Sequence, residues 1–221
     1  MYQIPYSKIK LFLFLPIFLV ACHQEIQQEE KPLPYYNSPS FTPLFLSSKE
    51  DINKKATHTI ADFSFLDQHH QKITQKDIEG KIHVANFIFT SCGSICPVMT
   101  ANLKILQDTF RNDKNVVLLS YSVTPWIDNV KRLNDYANRN QINAKNWHLL
   151  TGSKAEIYTL ARRSYFAEED LGFTKDSTEF LHTEHVLLID KNKHIRGIYN
   201  GTLQLEIAQL AKDIQALKKE H

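Results

Sequence analysis

Two cysteines four residues apart, Cys92 and Cys96, stand where an apolar run, Val84-Ala85-Asn86-Phe87-Ile88-Phe89-Thr90, gives way to a helical pattern through Ser91, Gly93, Ser94, Ile95 and Pro97. The run reads as a strand and the sequel as a helix, so both thiols fall at a strand-to-helix junction. The first N–H groups of a helix lack intrahelical partners, and their partial positive charge favours thiolate over thiol. Such a pair can close a disulfide, cycle as a redox couple, or grip a soft metal ion.

A third cysteine, Cys22, belongs to a different context. Lys8 and Lys10 precede a twelve-residue stretch from Leu11 to Cys22, apolar as far as Val20-Ala21, too short for an ordinary membrane span and suited to a signal-peptide core. Leu19-Val20-Ala21-Cys22 resembles a bacterial lipobox, in which the signal, residues 1–21, is removed and the cysteine lipidated. That leaves one free pair among three cysteines, too few for a framework of stabilising bridges in an exported protein. Removing the signal lowers the basic count from 26 to 24, against 24 acidic residues. A formally neutral chain lacks the footprint of a nucleic-acid binder.

The elements that must position the pair follow from periodicity and composition. Residues 22–57 carry Pro32, Pro34, Pro39 and Pro43 among Gln, Glu and Ser, and read as a lipidated cysteine with a flexible tether. As a coil this tether would reach roughly 30 Å. A domain over residues 58–221 opens with a hairpin, Ile60 to Phe65 turning through Asp67-Gln68-His69-His70 into Lys72-Ile73-Thr74. His69 and His70 are adjacent, so their side chains diverge and they are not read as metal ligands.

A short helix from Gln75 to Ile78, closed by Gly80, leads into the Ile82 to Thr90 strand. Beyond the cysteines, Met99, Leu103, Leu106 and Phe110 form one buried helical stripe. Met99 could supply a thioether, but its place on that stripe makes it a core residue. Val116 to Val123 is a second buried strand, Thr124-Pro125 an N-cap and first helical residue, and Trp147 to Thr151 a third strand before a helix from Lys154 to Ser164.

Tyr165 to Leu181 has no sustained periodicity, and a long irregular segment in a compact domain is usually functional. Val186 to Asp190 and Ile195 to Asn200 are further strands. A closing helix over Leu203 to Lys219 repeats Leu203, Ile207, Leu210, Ile214 and Leu217, read as packing on the sheet. This order predicts an α/β fold with a central mixed sheet flanked by helices. Cysteines at the end of the first central strand narrow it to the thioredoxin-like class with an N-terminal β-hairpin extension.

Two thiolates need at least one more donor for a metal site. Soft sulfur selects copper(I), and a neutral imidazole raises the coordination to three. His182, at the exit of the irregular segment and just before a central strand, is the best placed; His185 is its rival. The same donors would also suit zinc with an open position.

With His182 six residues ahead of Leu188-Ile189, the run Phe89-Thr90-Ser91-Cys92-Gly93-Ser94-Ile95-Cys96-Pro97 resembles the SCO/SenC family over about residues 58 to 219. Members of that family are copper-binding, thioredoxin-like proteins that assist cytochrome c oxidase assembly. The resemblance implies a copper ion held by Cys92, Cys96 and His182, and as partner the oxidase subunit that carries the dinuclear copper site. The lipobox-like Leu19-Val20-Ala21-Cys22, in turn, implies a domain held by lipid on the non-cytoplasmic side of a membrane in the bacterial cell envelope. Ser91 stands where the family often has histidine. Thr124 stands where it has the first of two aspartates, and Asp128 matches the second, read as supporting its helix N-terminus.

The main alternative is a thiol-disulfide oxidoreductase acting on a partner's cysteines, with Cys92 and Cys96 as its redox-active pair. Thioredoxin-type reductases place a cis-proline before the strand facing the disulfide, and this chain has no proline after Pro125. A thiol peroxidase needs an arginine near its cysteine, and none lies between Lys81 and Phe110.

Overall fold

The computed structural model describes Tyr2, residues 32–167 and residues 183–220. Residues 31–221 belong to one compact unit. Its centre is a five-stranded sheet in the order β5-β4-β3-β6-β7. Strand β3 (Ile82–Ile88) pairs in parallel with β4 (Val116–Ser122), and β4 in parallel with β5 (Trp147–Leu150). On the other side β3 pairs antiparallel with β6 (His185–Ile189), which pairs antiparallel with β7 (Ile195–Asn200). Every residue of β3 and β4 is buried, as near-continuous apolar runs covered on both faces require.

Alternation along β3 divides the core in two. Val84 and Ile88 face Met99, Leu103 and Leu106 of α3 (Ile95–Thr109), together with Leu133 of α4 (Val130–Asn140) and Ile207, Leu210 and Ile214 of α6 (Gln204–Lys219). Ala85 and Phe87 face the other way, toward Ile157 and Leu160 of α5 (Lys154–Arg163) and Phe65 and Ile73 of a small hairpin. This is the predicted mixed sheet flanked by helices with a hairpin at its N-terminal side. Among the described residues no helix is long and apolar enough to cross a membrane.

Three expectations change. The hairpin is shorter, with β1 (Ser64–Leu66) paired to β2 (Lys72–Thr74). Ile60 instead donates its N–H to Lys193 O, 2.9 Å, and is fully buried. At the turn the Asp67 carboxylate accepts from the N–H groups of His69 and Gln71, and His70 takes a left-handed backbone. Thr74 and Asp77 then form a capping box on α2 (Gln75–Ile78), and Gly80, at φ +70°, closes it.

The tether expectation for 22–57 fails from residue 32 onward. Tyr35, Leu46 and Ala56 build a small core of their own, and α1 (Lys49–Lys55) is capped by Ser48. Tyr36 N–H donates to Ile195 O at 3.1 Å. Arg196, 2% exposed, donates to the carbonyls of Leu33 (2.8 Å) and Pro34 (3.0 Å), to Glu220 and to Asp190, and its guanidinium carbon lies 3.9 Å from the Tyr35 ring centroid. The prolines suggested a spacer. Proline removes N–H donors but leaves its carbonyls free, and those near Pro34 are what the guanidinium takes.

The helix after β4 also starts late. Thr124-Pro125 does not begin it; α4 starts at Val130, with Asn129 accepting the Arg132 N–H at 3.0 Å as N-cap. The cause is Asp128, which holds the intervening loop against the end of β3.

Candidate dithiol site

Strand β3 stops at Ile88, and after six intervening residues α3 begins at Ile95. Cys92 N–H donates to Phe89 O at 3.1 Å, which folds the connection into a tight turn. Ser94 occupies the N-cap position, but its side chain caps nothing. The opening N–H groups of α3 are therefore available to sulfur. Pro97 sits in the first helical turn, where its missing donor costs nothing.

Both cysteines are free and buried, with Cys92 at 9% exposure and Cys96 at 3%. Their acidities diverge. Burial works against a Cys92 thiolate, but the backbone N–H groups of Cys96, Ser94 and Ile95 and the Cys96 side chain outweigh it, so its pKa falls below the ordinary thiol value. Burial dominates at Cys96 and pushes its pKa up to about 12. The Phe89 backbone opposes this, while Cys92 and Asp128 add to it. One sulfur therefore gives up its proton more readily than an ordinary thiol and the other less readily. That division allows Cys92 to attack and Cys96 to resolve, and it allows joint metal binding once Cys96 gives up its proton.

The loop bearing Cys92 is held from below by Asp128, which is fully buried. Its carboxylate accepts from Thr90 N (3.1 Å), Thr90 Oγ1 (2.5 Å), Ser122 Oγ (2.7 Å) and Thr124 Oγ1 (3.0 Å). Arg132 of α4 completes the arrangement. Its Nε donates to Thr90 Oγ1 at 2.6 Å and lies 3.5 Å from Asp128, and its Nη2 donates to Ser91 Oγ at 2.8 Å.

The SCO1/SenC family model matches residues 52–219. The chain belongs to the SCO1/SenC family. A SCO1/SenC family lipoprotein from Bacillus anthracis has a similar structure, with TM-score 0.64 and 29% identity over 73% of this chain and 96% of that one. BsSco, a member of the Sco family of cytochrome c oxidase assembly proteins in which a disulfide switch was identified, matches with TM-score 0.64 and 27% identity, covering 74% and 95% of the two chains. Arabidopsis thaliana ScoI with copper bound matches with TM-score 0.56 and 25% identity, covering 73% and 98%.

In this SCO1/SenC chain the pair Cys92 and Cys96 is brought together as expected. His182 lies outside the described residues, as does Cys22. The chain just after His182 is described. Thr183 is buried, and β6 runs antiparallel to β3 with Val186 opposite Asn86, so Thr183 to His185 stand at the cysteine end of the sheet. His185 opens β6 and its ring packs edge-on to Phe41 at 6.1 Å. Its neighbour Val186 faces the α3 side, so His185 faces away from α3. Met99, with no exposure, is a core residue.

Asp128 departs from its expected part. It caps no helix and instead anchors the cysteine loop. Arg132 was not visible as a site residue in the sequence. The lack of an arginine near the cysteines in sequence does not hold in space, although this guanidinium serves Thr90 and Ser91. The i, i+4 spacing of Asp128 and Arg132 was the one available signal, and it pointed to a helix-surface pair.

Proposed function

We propose that this chain binds copper as cargo through Cys92, Cys96 and His182 and delivers it to, or prepares, the copper site of cytochrome c oxidase. A lipid on Cys22 would hold it to a membrane on the non-cytoplasmic side of the cell envelope. The observation that carries the reading is the free, asymmetric dithiol at the start of α3, in a chain of this family.

The donor set fits a soft ion. Two sulfurs lie side by side, and the one buried carboxylate beneath the loop is committed to hydroxyl and N–H donors, so hard oxygen ligation is absent among the described residues there. The copper-bound Arabidopsis relative supports copper over zinc. Cys92 would bind first as thiolate, Cys96 would follow by losing its proton, and His182 would supply an imidazole nitrogen. Oxidation of the two thiols to a disulfide releases two protons and two electrons to an acceptor and removes both sulfur ligands, so redox state gates binding.

A dedicated thiol-disulfide oxidoreductase is the second reading, favoured by the pairing of a thiol made more acidic with a neighbour made less so. Anaerobic copper(I) titration separates them. Wild type should bind one ion, His182→Ala should bind far more weakly, and Cys92→Ser/Cys96→Ser should not bind. Unchanged affinity in His182→Ala would refute the three-ligand site. Rapid turnover of a partner disulfide with weak copper binding would favour the reductase. Deleting the gene should lower oxidase activity in a manner that added copper restores.

A further inference from the structure

The turn after β4, which Asp128 ties to Thr90 of the cysteine loop, presents two large apolar side chains. Trp126 is 59% exposed and Ile127 40%. The turn is rigid, since Thr124 O accepts from both Ile127 N and Asp128 N at 2.8 Å and Asp128 ties it to Thr90. From α5, Lys154 holds its ammonium 4.7 Å from the Trp126 ring centroid and 5.2 Å from that of Tyr158. Tyr158 itself donates to Val123 O at 2.8 Å. The indole is thus braced on one side while most of its surface meets water. Single exposed leucines need no explanation; a braced, exposed tryptophan with an adjoining isoleucine is the anatomy of a binding anchor.

Two cations flank this anchor: Lys154 lies over the indole, and Arg132, 44% exposed at its side chain, reaches Ser91 while lying 3.5 Å from the buried Asp128 carboxylate. Charge complementarity then selects an acidic occupant, and the position beside the cysteine loop selects one that must reach the sulfurs.

We propose that Trp126 and Ile127 form an apolar anchor, rimmed by Lys154 and Arg132, on which an acidic surface of the copper-accepting protein docks. This rests on the delivery reading. The test uses full-length protein in detergent micelles, titrated with the soluble copper-site domain of the cytochrome c oxidase from the same organism. Trp126→Ser and Lys154→Glu should each leave copper(I) affinity unchanged and weaken the complex by about tenfold or more, a loss of about 1.4 kcal/mol. Added salt should weaken the wild-type complex.

Wild-type binding by both variants would overturn the docking surface while sparing the delivery reading. So would a Trp126-dependent contact seen only with a second copy of this chain by sedimentation, or only with phosphatidylglycerol vesicles. Failure of wild type to bind or load the oxidase domain would overturn the delivery reading, and the docking surface with it. Thermal melts of both variants matching wild type establish that folding is intact.

Discussion

Arg196 and Arg132 each bring a guanidinium to a carboxylate and hold a loop, but at opposite ends of the sheet and under opposite conditions of burial. Arg196 is almost wholly enclosed, and its donors go to Asp190, Glu220 and two backbone carbonyls, with the Tyr35 ring stacked on its face. Arg132 is nearly half exposed, and its donors go to two hydroxyls of the cysteine loop. A buried guanidinium with every neighbour committed is costly to disturb; an exposed one is screened and can shift. The chain therefore locks residues 32–36 at one end and leaves adjustable the loop whose sulfurs must change partners.

The largest expected effect lies at the locked end. Arg196→Ala leaves Asp190, 7% exposed, without its cation, and should cost about 3–5 kcal/mol in denaturant unfolding. Proteolysis should open first around residues 32–36, while copper binding by the surviving folded protein stays unchanged. A loss equal to that of a surface pair would mean that the contrast between the two ends is false.

The same end should respond to acid. His83 is fully buried on β3 with its Nε2 3.3 Å from Tyr165 Oη, and burial pushes its pKa down to about 3, against a smaller opposing pull from Asp190. Because the unfolded chain takes up this proton near pH 6.5 and the native state does not, stability falls as pH drops below 6.5. The slope is up to about 1.4 kcal/mol per pH unit until pH approaches 3. Asp190 acts later. Burial opposes its charge, but His194 hydrogen bonds and the Arg196 charge hold its pKa below the usual carboxylate value, so its contribution is lost only under stronger acid. Urea unfolding of wild type and His83→Gln between pH 7 and pH 5 checks this. The variant should show a flatter slope, and parallel slopes would remove His83 as the cause.

At the dithiol end, Asp128→Asn turns an amide donor toward the N–H and hydroxyl donors of Thr90 and Ser122. It should cost about 1–3 kcal/mol. The more telling readout is Cys92, whose alkylation at neutral pH should slow several-fold as the loop loses its anchor. Loss of stability with unchanged alkylation would reduce Asp128 to a structural residue.

What the sequence disclosed follows the same division. Cys92, Cys96 and the Met99-Leu103-Leu106-Phe110 stripe were legible because local spacing determines both a strand-to-helix junction and a buried helix face. The clamp on residues 32–36 was not, because Arg196 is distant in sequence and the proline-rich stretch it engages at Leu33 and Pro34 looks like spacer. Asp128 misled for a related reason. An acid just ahead of a helical pattern is normally a helix-terminus residue, and only the packing of β4 beside β3 brings it under Thr90.

The smallest effect on stability, and the sharpest on the comparison, belongs to Arg132. Solvent screening should hold the cost of Arg132→Gln under about 1 kcal/mol. Its consequence should appear instead in the dithiol, since Ser91 and Thr90 lose the fork that sets the approach to Cys92. Arg132→Lys tells charge from geometry, because lysine keeps the cation but lacks two donors at fixed angles. If the fork positions the loop, both variants should alkylate and bind copper(I) alike, each differing from wild type. If the charge alone matters, lysine should restore wild-type rates, and Arg132 would then be a diffuse field over the site rather than a brace beneath it.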